Sequence, residues 1–171
     1  LVGGTSEDVA AVLHSGQFGF AAETGEGMNL ALKEGYGKNI GFGEAIGEWI
    51  VRKQHPYREF SLLACCHEMK IPATVHVAIG TDIIHQHPEV DGAVTGEMSF
   101  RDFRLITGVV SELEGGVWLN FGSAVIMPEV FLKALSIAQN LGHHVENFTT
   151  ANFDMIRHYR PSENVVKRPT L

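Results

Sequence analysis

The sequence predicts an α/β fold, and three observations carry the prediction. Short β-branched or aromatic runs bounded by glycine or proline occur at 73–79, 117–121 and 145–150. Helix-patterned stretches alternate with them, at 60–69, 100–113 and 129–141. The links are short, so successive strands are joined by right-handed crossovers into a parallel sheet.

Taken in order, Leu1-Val2-Gly3-Gly4 reads as the end of a strand. Thr5-Ser6-Glu7-Asp8 starts a helix, a hydroxyl followed three residues later by an acid. That helix runs through Val9, Val12 and Leu13 and stops at Ser15-Gly16. A second covers 21–33, with Leu30 and Leu32 on apolar positions, and a glycine-rich joint follows at 35–43. A third, at 44–53, puts Ile46, Trp49 and Ile50 on one stripe before His55-Pro56 breaks it. Pro72 and Gly80 bound the strand at 73–79, and Gly122 ends the one at 117–121. Pro128 opens the helix at 129–141 and Gly142 closes it. There are no repeats and no low-complexity linker, so 1–171 is expected to be a single α/β domain. Neither end carries a starting methionine or a closing element, which predicts a piece of a longer protein lacking N-terminal and C-terminal portions.

Composition narrows the function classes. Of the 171 residues, 44% are hydrophobic and 19% charged, enough for a real core and against disorder. No apolar run approaches the roughly 20 residues of a membrane helix; the best, 125–135, contains Pro128, Glu129 and Lys133. Thirteen basic against twenty acidic residues give −7 at pH 7, without the clustered cations a nucleic-acid surface needs. A cationic small substrate suits that field. Cys65 and Cys66 are adjacent in an apolar helical stretch, which predicts packing in a reducing compartment, the cytoplasm.

Ligands of parallel α/β sheets bind beyond the carboxyl ends of the strands. Here those ends are Gly3-Gly4-Thr5-Ser6-Glu7-Asp8, Gly80-Thr81-Asp82, Gly122-Ser123 and Thr149-Thr150-Ala151-Asn152-Phe153-Asp154. Glycine admits close backbone approach, and hydroxyls and helix N-termini bind phosphate; each such residue is also an ordinary turn or cap residue. Four together favour a pocket. Gly41-Phe42-Gly43-Glu44-Ala45-Ile46-Gly47 resembles a dinucleotide fingerprint but follows no strand, so it reads as a flexible helix start. Gly122-Ser123-Ala124 lacks the second glycine of a nucleophile elbow. His76, Asp82, His85 and His87 form an alternative, a site for zinc or iron, set against solvated or capping histidines.

The strand ends resemble those of the deoxyhypusine synthase family. Gly3-Gly4-Thr5-Ser6-Glu7-Asp8 is similar to its Gly-Gly-x-x-Glu-Asp turn, and Ile71-Pro72 leading to Asp82 to its Ile-Pro strand ending in Thr-Asp-Gly. The run 148–154 resembles its Asn-Thr-Ala-Gln-Glu-Phe-Asp stretch, one residue shorter. The order is the same, and the resemblance covers most of the chain. It implies a Rossmann-like parallel sheet with helices on both faces, NAD as cofactor, and a homo-oligomer, a tetramer in the family. It implies oxidation of a polyamine, spermidine, and transfer of its aminobutyl group through a lysine imine. By the resemblance, Gly3, Gly4, Thr5, Asp82, Gly122, Ser123, Thr150 and Ala151 bind the cofactor, and Glu7 and Asp154 hold the polyamine, carboxylates matching its ammonium groups.

Two departures bear on activity. The family's His-His pair is replaced by Pro128-Glu129, and its Trp-Gly-Lys run is missing. Lys167, in Asn164-Val165-Val166-Lys167-Arg168-Pro169, is the lysine left downstream of the Thr-Ala segment and the candidate catalytic residue. The expected function is that of a deoxyhypusine synthase-like protein binding NAD, an aminoalkyl transferase or amine-oxidising enzyme. The alternatives are a metal-dependent hydrolase or lyase on His76, Asp82, His85 and His87, and a non-catalytic dinucleotide-binding oligomerisation domain.

Overall fold

The computed structural model describes His14 and residues 22–170. The predicted first helix, Gly3, Gly4, Thr5 and Glu7 lie outside the described residues. The chain divides into two compact units, 1–99 and 100–171.

The described part of the first unit is helical. α1 (Ala22–Gly37) and α2 (Phe42–Arg52) form a hairpin, and α3 (Leu62–Met69) follows a 3-10 turn at Arg58–Phe60. α1 extends past its predicted end, since Gly35 lies inside it rather than in a joint. A Cβ on Gly35 would stand 2.5 Å from Ala45 Cβ and 2.9 Å from Met98 Cε, so the glycine sets how closely the two helices approach. Ala31, Leu32, Phe42, Ala45, Ile46 and Met98 form the core. Ser61 caps α3, its hydroxyl accepting the Ala64 N–H at 3.3 Å. The ion pairs Lys38–Glu48 and Arg52–Glu34 lie on exposed surface. Cys65 and Cys66 are free and half-buried.

The predicted strand at 73–79 is not one: it has no ladder partner among the described residues. Val75 and Val77 do pack on the core. The Ser99 hydroxyl takes the place of a neighbouring strand, accepting the Val77 N–H at 3.0 Å and donating to the Val75 carbonyl at 3.1 Å. β-branched alternation specifies an extended, half-buried chain; it does not specify a partner.

α4 (Gly92–Ser111) begins well before its predicted start, and the division between units falls within it, after Ser99. Asp91 starts it: one carboxylate oxygen accepts the N–H groups of Ala93 and Val94 at 2.9 and 3.0 Å. In the second unit β1 (Val117–Phe121) and β2 (Thr149–Phe153) pair in parallel around α5 (Ile126–Asn140), a β-α-β arrangement as predicted. Register runs from Val117 opposite Thr149 to Phe121 opposite Phe153.

α5 lies on one face of this pair. Phe131 is fully buried and stacks on Trp118 at 4.2 Å between ring centres, within a core of Val110, Leu135, Val145 and Val165. The other face leaves Val117, Leu119, Phe121 and Phe153 exposed, the two phenylalanines stacked at 4.6 Å. β2 starts later than predicted. Val145 is a core residue, and the Glu114 carboxylate takes the N–H groups of Glu146 and Asn147 at 2.7 and 2.9 Å. The fold is thus mixed helix and strand with a two-stranded parallel sheet among the described residues.

Candidate functional site at the end of β2

The carboxyl ends of β1 and β2 are tied by a pair of asparagines. Asn120 is 3% exposed, and its amide nitrogen donates to the Ser123 carbonyl at 3.0 Å and to Asn152 Oδ1 at 2.6 Å. This rung closes the sheet just before the chain turns out of it. Gly122 follows, with φ +63 and open space where a side chain would stand. Its N–H still donates to the Phe153 carbonyl, at 2.9 Å. The Ser123 hydroxyl, two residues before the N-cap Val125, accepts the Met127 N–H at 3.1 Å and so satisfies an amide in the first turn of α5.

Beyond β2 the chain enters a C-terminal helical segment: a turn at Tyr159–Pro161, a π-helical stretch at Ser162–Lys167 and a 3-10 turn at Arg168–Thr170. Glu129, in the first turn of α5, fastens this segment. Its carboxylate accepts Asn164 Nδ2 at 2.8 Å and Arg160 Nε at 3.2 Å, and also pairs with Lys133. Asn164 is buried and passes the connection on to Arg168, at 2.8 Å. Hydrogen bonding by Lys133 is the main cause that holds the Glu129 carboxyl below its usual range, with the Lys133 and Arg160 charges adding to it against a desolvation cost.

A cavity of about 260 Å³ lies between the end of β2 and this segment. Asn152, Asp154, Arg157, Ser162 and Lys167 supply its polar lining, Ile156 and Val166 its apolar lining. The Asp154 side chain is only 15% exposed; it accepts the Ile156 N–H at 3.3 Å and lies 3.9 Å from His158 Nε2. Lys167 Nζ donates to Glu163 at 2.6 Å, and that bond leads the causes that lower the Glu163 carboxyl. The Asn152 oxygen is used by Asn120, which leaves its amide nitrogen without a protein partner among the described residues and on the cavity wall. A second hollow, about 440 Å³, sits at the amino ends of the strands, with backbone-rich walls around Gly115 and Gly116. Ligand chemistry in such folds gathers at the carboxyl ends.

The structure therefore brings together Asp154 and Lys167, and adds Asn152, Arg157 and Ser162, which sequence reasoning missed. One signal for the asparagine rung was present, a lone amide inside the apolar run Val117–Phe121. Thr150 and Ala151 were expected at a strand end; they sit within β2, opposite Trp118 and Leu119, because the strand starts later. Gly122 and Ser123 are at the end of β1, the serine spent on the Met127 N–H.

The histidine alternative is corrected. Among the described residues no group of three or more His, Cys, Asp or Glu side chains is placed to hold a metal. His85 Nδ1 accepts the N–H groups of Gly80 and Asp82 at 3.1 and 3.3 Å, and Asp82 accepts the Ile84 N–H, a capping box for the turn at Ile83–Gln86. His87 is buried against Gly25 and accepts the Glu89 N–H at 3.2 Å. His76 pairs with the Thr74 hydroxyl at 3.0 Å, and burial lowers its pKa. These imidazoles are used by the backbone and the core. The fingerprint-like glycines are likewise structural: a Cβ on Gly43 would stand 2.0 Å from the Ala73 carbonyl oxygen, and one on Gly47 2.4 Å from that of Leu63.

No described helix is long and apolar enough to cross a membrane. Comparison of the chain with protein-family models, characterised proteins and solved structures finds no match.

Proposed function

We propose that this chain is a Rossmann-like, deoxyhypusine synthase-like protein that binds NAD and oxidises a small amine or transfers an aminoalkyl group from it. The cavity beyond β2 is its amine site. The observation that carries the reading is that Asp154 and Lys167, assigned by resemblance to substrate and to covalent chemistry, line that one cavity together. Its position at a strand carboxyl end supports the same reading.

What supports a dinucleotide site at the end of β1 is Gly122, which is left-handed with open space where a side chain would stand, so that a ligand can approach the backbone. The Gly122 backbone would hold it there. When bound, NAD supplies a hydride acceptor. The chain's own residues bind and orient the amine. Asp154, on the cavity wall, receives an ammonium group. Ile156 and Val166 flank the carbon stem, and the Asn152 amide fixes its orientation. In the transfer reaction the Lys167 amine would attack the carbon of the amine once oxidised to the imine level. The bond from that carbon to its original nitrogen breaks, the rest of the substrate leaves as a free amine, and the aminoalkyl group stays on Lys167 as an imine. To attack, Lys167 must first give up its Glu163 partner and its proton. Self-association belongs to the same reading.

The test is to incubate the full chain with NAD and a panel of primary amines that includes spermidine and L-lysine, follow the near-ultraviolet absorbance of the reduced dinucleotide, and trap imines with borohydride. Reduction of NAD that needs Asp154, with a trapped adduct on Lys167, is the expected result. An unchanged yield in Lys167→Ala overturns the transfer step. NAD binding without turnover of any amine reduces the protein to a dinucleotide-binding module, and the absence of NAD binding overturns the reading as a whole.

A further inference from the structure

The cavity beyond β2 is not lined as a polycation site would be. We propose that its ligand is a primary amine that also carries a carboxylate, an amino-acid zwitterion, with Asp154 holding the ammonium group and Arg157 the carboxylate. The proposal rests on the reading of this cavity as the amine site and narrows its substrate class.

The charges on the wall decide it. Asp154 is the one carboxylate among the lining residues, against two cations, Arg157 and Lys167. Lys167 is matched by Glu163 at 2.6 Å. Arg157 has no ion pair among the described residues; its contact is from Nε to the Ser162 hydroxyl, at 3.5 Å. Glu163 feels Arg157 only as the last and weakest of its charge interactions, its hydrogen bond going to Lys167. A planar guanidinium fork with no carboxylate bonded to it is suited to a ligand carboxylate. The Asn152 amide nitrogen, without a protein partner among the described residues, is a second donor facing the same space.

A polyamine brings donors only. It could satisfy Asp154, but its other ammonium groups find no second carboxylate among the lining residues and are repelled by Arg157 and Lys167. A zwitterion uses both signs. The volume, about 260 Å³, suits a single amino acid whose stem lies along Ile156 and Val166.

The test is calorimetric titration of the full chain with L-lysine and with cadaverine, which share a carbon chain and differ by the carboxylate. Lysine is expected to bind tighter by about tenfold or more, the value of a charge-assisted bidentate contact. Arg157→Gln should bring lysine down to the affinity of cadaverine without weakening cadaverine, and Arg157→Lys should keep part of the preference. Arg157 is exposed, so thermal unfolding of both variants should match the parent. Equal or tighter binding of cadaverine overturns the zwitterion but leaves the amine site standing, as does a preference that survives in Arg157→Gln. Failure of both ligands to bind overturns the amine site itself, and this proposal with it.

Discussion

Asp154 matters because of where its charge is kept. Its side chain, 15% exposed, lies on the cavity wall 3.9 Å from His158 Nε2, where an ammonium group can pair with it. His76 is a different case. Its imidazole is half-buried beside the Thr74 hydroxyl, and burial holds its pKa below 6.5. The folded chain therefore binds this proton less readily than the unfolded chain. Stability is complete above the unfolded value of about 6.5 and is lost as pH falls from there towards the folded value. The melting temperature should drop as pH falls below about 6.5, and His76→Gln should flatten the drop. Thermal melts above and below that pH check it; an equally steep fall in the variant would assign the effect to other groups.

At the scale of elements, α2 is held by its glycines. With a Cβ on Gly43 only 2.0 Å from the Ala73 carbonyl oxygen, the extended chain at 71–78 must move away. Gly43→Ala should destabilise the protein by about 1–3 kcal/mol or more, as overpacking does; a denaturant titration measures it, and a neutral result would mean the extended chain yields freely. These glycines mimic a cofactor motif in sequence, and only the missing strand before them argued otherwise. Elements with strong local signals were legible: β1 lies where its apolar run is, and α5 carries Pro128 in its first turn, starting two residues before the proline predicted to open it, and ends before Gly142. The extended run at 73–79 was misread because its partner is a serine hydroxyl, which no local pattern announces. β2 was misplaced because Val145, the residue that looked like its start, is claimed by the core. The cavity wall was the least legible part. No local pattern in residues 157–168 announces that they turn back on the sheet; what folds them back is Glu129 reaching Asn164 across 35 positions.

At the scale of the whole molecule, the chain consists of two compact units, and the candidate site belongs to the second. The proposed self-association is checked by sedimentation equilibrium, which should give a multiple of the chain mass, 18.7 kDa. A single chain at micromolar concentration would remove that part of the reading. The central claim is that the cavity beyond β2 binds a small amine through Asp154. The measurement that tests it most directly is thermal unfolding of the parent and of Asp154→Asn with a saturating amine. A ligand at about a hundred times its Kd adds about 2.7 kcal/mol, a rise of about 5–10 °C for a chain of this size. The account predicts that rise in the parent and its loss in Asp154→Asn. No rise with any amine, or the same rise in the variant, would contradict it.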